Sequence, residues 1–152
     1  MTSQNCILIG APVDSGKRRA GCLMGPDALR TAGLTSALTG LGHNVEDLGN
    51  LSPAPHEADV PDGSLFAPNE TIAWTEKLAE VAEQAMDRGL PIFLGGDHAL
   101  SLGSAIAAAN YAATKGRPQF VLWLDAHTDF HTPLTTDSGN LHGTPVGYFT
   151  GR

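Results

Sequence analysis

The chain has 152 residues, a formal net charge of −7, and the apolar and charged shares (41% and 16%) of an ordinary soluble protein. That length suits one domain or part of one, and the acidic balance excludes nucleic-acid binders, which need a clustered basic surface. No apolar run approaches a membrane span, no charged leader marks a signal peptide, and Cys6 and Cys22 form neither a C-x-x-C pair nor a disulfide framework, so a reducing cytoplasm is the expected location.

Strand and helix patterns alternate along the chain. Cys6-Ile7-Leu8-Ile9 reads as a short buried strand stopped by Gly10-Ala11-Pro12. The basic run Lys17-Arg18-Arg19 follows in a glycine-rich loop and reads as solvated. Pro26 suits the first turn of a helix expected to run to about Gly40, and residues 45–48 form a weak strand near an edge. Residues 49–69 hold prolines and acids without a period and read as a long surface loop. A helix is predicted over residues 70–88 with Gly89 as its stop, then a third strand over 90–94, a helix over about 98–114 and a fourth strand over 120–124. Uninterrupted apolar strands alternating with amphipathic helices predict an α/β fold with a parallel sheet covered on both faces. Thr144-Pro145 then opens a helix that the last residues barely continue, which reads as a fragment.

Chemistry concentrates at two strand ends, where parallel sheets place their ligands. Asp125-Ala126-His127-Thr128-Asp129 follows the apolar run Phe120-Val121-Leu122-Trp123-Leu124. In extended backbone, residues two and four apart share a side, so Asp125, His127 and Asp129 are expected to project together. Gly95-Gly96-Asp97-His98 ends the preceding strand. Asp97 alone reads equally as a helix cap, and His98 as a polar residue of the first helical turn. Imidazoles and carboxylates delivered from two strand ends suit a borderline-to-hard divalent ion such as Mn²⁺, and the lack of thiolates argues against structural zinc. The competing reading is a hydrogen-bonded structural cluster.

The polar loop of residues 131–143, with Ser138-Gly139-Asn140-Leu141-His142-Gly143, leaves the metal strand and has to pass over the proposed site. Its bland reading is a surface connection, since Ser, Gly and Asn are ordinary turn residues. Its hydroxyl, amide and imidazole groups equally suit the orientation of a polar substrate, and a histidine beside the metal site suits a proton relay. Gly10 to Arg18 has the look of a phosphate-binding loop, but the spacing is one residue too long. Arg18 also stands where the metal-binding hydroxyl belongs, and Pro12 removes an amide donor.

The three polar motifs together resemble the first three signatures of the manganese ureohydrolases, the family of arginases, agmatinases and formiminoglutamases. The third is similar to the arginase branch, because agmatinase-type members have a different loop before their His-Gly. The likeness starts at Ile9-Gly10-Ala11-Pro12 and at Gly25-Pro26 through Leu29-Arg30, and continues to the last residue. It implies a three-layer α-β-α arginase-like domain of which residues 1–152 are the N-terminal half. It also implies two Mn²⁺ ions, with His98 and Asp129 on one, His127 on the other and Asp125 bridging both. His142 and Asp129 would then be catalytic, His142 shuttling protons. Ser138, Asn140, Thr136 and His131 would meet the amino-acid end of the substrate. The implied reaction is attack of a metal-bridging hydroxide on the guanidinium carbon of L-arginine, giving L-ornithine and urea in a homo-oligomer without nucleic acid or membrane partners.

Two departures stand out. His131 occupies the position where arginases usually have asparagine, and the family's Asp-x-Asp metal motif and later glutamate have no counterpart in the sequence. The isolated chain is therefore expected to be inactive. The rival readings are a ureohydrolase acting on agmatine, guanidinobutyrate or a formimino-amino acid, a zinc amide hydrolase on a related fold, and a truncated metal-binding remnant.

Overall fold

In the computed structural model, residues 2–60 and 64–152 are described. Strand β1 (Asn5–Ala11) lies at the centre of a parallel sheet, flanked by β2 (Asn44–Asn50) and β3 (Leu90–Gly95) in the order β2-β1-β3. Its position explains its composition: Ile7, Leu8 and Ile9 are completely buried although they point alternately to opposite faces. On one face Ile7 and Ile9 meet Trp74, Leu78 and Ala85 of α3 (Pro68–Met86) and Leu102 of α4 (Leu100–Thr114). The other face is covered by α1 (Gly25–Thr31), which packs on β1 and β3, and by α2 (Leu34–Gly40), which packs on β2. These are the three layers expected of an α/β domain. A short α5 (Pro145–Phe149) packs against α4. Among the described residues, no helix is long and apolar enough to cross a membrane.

The expected elements up to α4 are present with two differences. The helix predicted from Pro26 to Gly40 is two helices, because Gly33 adopts a left-handed conformation (φ 91°) that ends α1 and starts α2. Helix α4 begins at Leu100, so His98 lies in the turn before it. The long loop after β2 contains residues 61–63, which lie outside the described residues.

The fourth strand predicted over residues 120–124 does not form. Its side chains still alternate. Val121 and Trp123 share a crevice with Ala105 and Ala109 of α4 and Val146 and Phe149 of α5, while Phe120, Leu122 and Leu124 are 85%, 82% and 85% exposed. A groove of about 580 Å³ lies between this run and the residues of β3. An apolar run becomes a central strand when ladder bonds form and both faces are covered. Here one face is bare and no ladder is made, so the hydrophobic pattern alone does not produce the strand.

The edge strand β2 is held from the helical layer by Arg30. Its Nε donates to Asp47 Oδ2 (2.7 Å) and its Nη2 to Asp47 Oδ1 (2.9 Å), fork against fork, while Nη1 donates to Asp27 and Asn50. The Arg30 guanidinium holds the Asp47 carboxyl below the usual carboxylate range; burial opposes this more weakly, and the Gly49 N–H reinforces it. A lowered folded-state pKa gives stability that is complete above the unfolded value of about 3.9 and disappears as pH falls through the folded value. Asp47→Asn is therefore expected to cost about 0.5–1 kcal/mol at neutral pH, the range for a solvent-screened pair. The difference from the parent protein should shrink as unfolding is measured by urea titration at successively lower pH; a difference constant with pH would refute this role.

Candidate metal centre

Beyond β3 the chain keeps close to the segment that follows β1. The Gly96 N–H donates to the Ala11 carbonyl (2.9 Å) and the Asp97 N–H to the Val13 carbonyl (2.7 Å). The approach requires glycine at position 96, since a Cβ there would collide with the Val13 backbone. Asp97 is buried at 3% exposure, and its two carboxylate oxygens accept from the Gly16 N–H and the Ala99 N–H, both at 2.8 Å. One oxygen thus closes the turn ahead of α4, whose N-cap is Ala99 without a side-chain cap bond, and the second holds the loop after β1. Asp97 takes no part in the metal cluster.

His98, next in the chain, points at the other motif. Its Nδ1 lies 3.0 Å from Asp129 Oδ2 and 3.2 Å from Asp125 Oδ2, and its ring stacks on Trp123 with centroids 5.0 Å apart. The three side chains can each present a ligand atom within 4.8 Å of the others. One imidazole nitrogen carries at most one proton and so cannot satisfy both carboxylates. Asp129 Oδ2 is buried without a hydrogen-bond partner, because its short approach to His98 lacks hydrogen-bond geometry. An unpartnered buried carboxylate oxygen is costly, and a cation shared by His98, Asp125 and Asp129 would satisfy it. The donor set of one nitrogen and two carboxylates suits a borderline-to-hard divalent ion.

The expectation that Asp125, His127 and Asp129 share one side is met only in part. Asp125 Oδ1 accepts the His127 N–H (2.8 Å), which bends the chain at residues 125–127 and breaks the two-residue alternation. His127 is consequently turned outward, its side chain 82% exposed and its Nδ1 3.4 Å from Asp125 Oδ1. The same N–H, helped by nearby His98 and opposed by burial, holds the Asp125 carboxyl below the usual range. Asp129 reaches the cluster by adopting positive φ (47°), a left-handed conformation costing a non-glycine residue roughly 1–2 kcal/mol. Its carbonyl accepts from the Val146 N–H (2.9 Å) and the Gly147 N–H (3.2 Å), so the start of α5 stabilises the strained residue.

The loop after Asp129 does pass over the cluster. A cleft of about 460 Å³ has His98, His127 and Asp129 on one side and His131, Thr136, Ser138, Asn140 and His142 on the other. Asp125 borders an adjoining opening with Trp123 and His127. Within the loop, His131 Nδ1 lies 3.1 Å from the Thr135 carbonyl, and Ser138 Oγ accepts the Asn140 N–H (3.2 Å) and lies 3.4 Å from Thr136 Oγ1. The His142 N–H donates to the Gly16 carbonyl (3.0 Å).

Sequence reasoning overlooked two residues beside this site. Trp123 supports the His98 ring; it lies two positions before Asp125, so strand alternation was the available signal. Arg18 is exposed, as a solvated run requires, but it also bonds the loop at Ser138 and Asn140, a long-range contact with no local signature. Lys17 likewise pairs with Asp14 at 3.1 Å rather than standing free.

A family model described as "Arginase family" matches residues 4–151. The chain belongs to the arginase family. It is 52% identical over 149 residues to the arginase of Brucella melitensis biotype 1, covering 97% of this chain and 49% of that protein. With the mitochondrial arginase-2 of Homo sapiens it shares 41% identity over 145 residues, covering 93% of this chain and 39% of the relative. A solved structure of arginase from Bacillus caldovelox superposes with a TM-score of 0.81 at 36% identity, covering 94% of this chain and 48% of that one. The chain thus spans about half the length, or less, of these arginase-family relatives.

The Asp97 carboxylate is the structural centre of this family member's site. Asp97→Asn replaces one acceptor by an N–H₂ facing a backbone N–H and is expected to destabilise the fold by about 2 kcal/mol. Chemical denaturation measures it, and an unchanged midpoint would contradict the assignment.

Proposed function

We propose that the protein is an arginase, hydrolysing L-arginine to L-ornithine and urea at a two-manganese site for which this chain supplies His98, Asp125, His127 and Asp129. The observation carrying this reading is the convergence of His98, Asp125 and the unpartnered Asp129 Oδ2 beneath the loop of residues 131–143. Arginase-family membership supports the reaction class. In this reading His98, Asp125 and Asp129 would hold metal together and His127, beside Asp125, would add a further nitrogen ligand. The bound ions supply the Lewis acidity that ionises water at neutral pH, which the poorly electrophilic guanidinium carbon requires.

The remaining steps fall to the chain's own side chains. Ser138, Asn140, Thr136 and His131 line the cleft wall opposite the cluster and orient the amino-acid end of the substrate. His142, in the same wall and anchored through its backbone to Gly16, is placed to give a proton to the departing amine, a task for which imidazole is the commonest side chain. Asp129, which lines the same cleft, is the carboxylate assigned to act with it. The proposal extends to a cytoplasmic homo-oligomer. One feature favours a second reading, a ureohydrolase for another guanidino compound: His131 brings a bulkier, titratable ring to the substrate wall.

The test is urea and ornithine release by the Mn²⁺-loaded full-length protein. L-Arginine is expected to be preferred over agmatine and guanidinobutyrate by about a hundredfold or more in kcat/KM, since groups built to bond a carboxylate reject ligands without one. No turnover of L-arginine would overturn the reading. Asp129→Asn is expected to weaken Mn²⁺ retention by at least about tenfold, roughly 1.4 kcal/mol, as read by metal analysis after dialysis. Unaltered retention would remove Asp129 from the ligand set.

A further inference from the structure

The wall of the cleft facing the metal cluster is fastened from behind by Arg18, a residue that does not itself line the cleft. Arg18 Nε donates to the Ser138 carbonyl (3.2 Å), and its backbone N–H donates to Asn140 Oδ1 (3.1 Å). Its guanidinium also lies over the Phe66 ring, 5.6 Å from the centroid, a cation–π distance. Phe66 closes the circuit, its N–H donating to the carbonyl of Gly139, the residue between Ser138 and Asn140. Gly139 is in the left-handed region (φ 70°), and a Cβ there would strike the Ser64 carbonyl, so the turn admits only glycine.

This fastening sets the polarity of the two side chains. A backbone N–H can only donate, so the Asn140 atom facing Arg18 must be the amide oxygen, leaving the N–H₂ group for a ligand. Ser138 Oγ accepts the Asn140 N–H and lies 3.4 Å from Thr136 Oγ1, so its own O–H is left to donate to that hydroxyl or into the cleft. Both residues can therefore offer donors to the cleft, the polarity that matches a carboxylate.

We propose that Arg18 is a positioning residue for substrate recognition: by clamping Ser138 and stacking on Phe66, it holds Ser138 and Asn140 as a paired donor for the substrate carboxylate. The role rests on the arginase reading above. Arg18 acts through the loop and touches neither the reacting atoms nor the metal cluster, so its loss affects binding of carboxylate-bearing substrates rather than the chemical step.

The experiment compares Arg18→Ala, Arg18→Met and Arg18→Lys with the parent in the Mn²⁺-loaded full-length protein. Arg18→Met keeps an alkyl stem against Phe66 but cannot donate, which guards against a mere packing defect. Both Arg18→Ala and Arg18→Met are expected to raise KM for L-arginine about three- to tenfold, the worth of one ordinary hydrogen bond, with kcat within about twofold. The inhibition constant of agmatine, which lacks the carboxylate, stays within about twofold of the parent value. Arg18→Lys, which retains a charged donor, recovers most of the lost affinity. Hydrogen exchange at Phe66 and at residues 138–140 quickens in Arg18→Ala while α3 and α4 keep their protection. An unchanged KM, or equal weakening toward L-arginine and agmatine, overturns the role of Arg18 alone. Absence of urea release by the parent overturns the arginase reading and this proposal with it.

Discussion

The buried carboxylate of Asp97 is the contact on which the arrangement of the site depends. One oxygen holds the amide of Ala99 and the other the amide of Gly16, tying the end of β3 to the loop that follows β1. Hydrogen bonds from a charged acceptor in a buried setting are among the stronger polar contacts in a protein, and losing one partner leaves the other desolvated and unpaired. The effect extends in both directions. His98 is the next residue, so its ring is aimed by the turn that Asp97 closes. The Gly16 carbonyl accepts the backbone N–H of His142, so the loop lining the cleft is seated on the same anchor.

Around that anchor the molecule carries local costs that a purely structural cluster does not require. Asp129 occupies a left-handed conformation, and its Oδ2 is buried without a hydrogen-bond donor. Its carbonyl, by contrast, is doubly bonded by the start of α5. Two neutral backbone bonds, worth about 1 kcal/mol each, offset a conformational cost of similar size. They leave the unsatisfied carboxylate oxygen without compensation. The stack of His98 on Trp123 adds rigidity to the ring whose nitrogen faces both carboxylates. Strain and an orphaned acceptor at the same residue, opposite a cleft lined by histidine, serine and asparagine, are what a cation-binding site with a polar ligand leads one to expect.

The three-layer α/β class, the central burial of β1 and the edge position of β2 were legible because hydrophobic periodicity reports burial directly. The clustering of His98 with Asp125 and Asp129 was legible from the rule that strands of a parallel sheet deliver ligands at their carboxyl ends. The same periodicity misled at residues 120–124. It records which faces can be buried, whereas a strand also needs a ladder partner, and here none is bonded to it. It also grouped His127 with Asp125 and Asp129, because two-residue alternation assumes extended backbone; the ring stays 3.4 Å from Asp125 Oδ1 and borders the cleft but lies outside the tight cluster. The Asp125 carboxylate bonding the His127 amide turns the chain and sends that ring outward.

Residue order alone fixed the chemistry available: imidazoles and carboxylates after two apolar runs, of which only residues 90–95 form a strand, a donor-rich loop after them, and glycines where the backbone comes close. These follow from residue type and short-range spacing, which are local properties. Only the tertiary structure decided which of those groups meet. Asp97 became the anchor rather than a ligand because Gly16, far away in sequence, supplies the second amide. Arg18 came to fasten the loop of the cleft because Ser138 and Asn140 come to rest against it, separated from it by 120 and 122 positions. Contacts of that separation depend on how helices and strands pack, and no local pattern of residues encodes them.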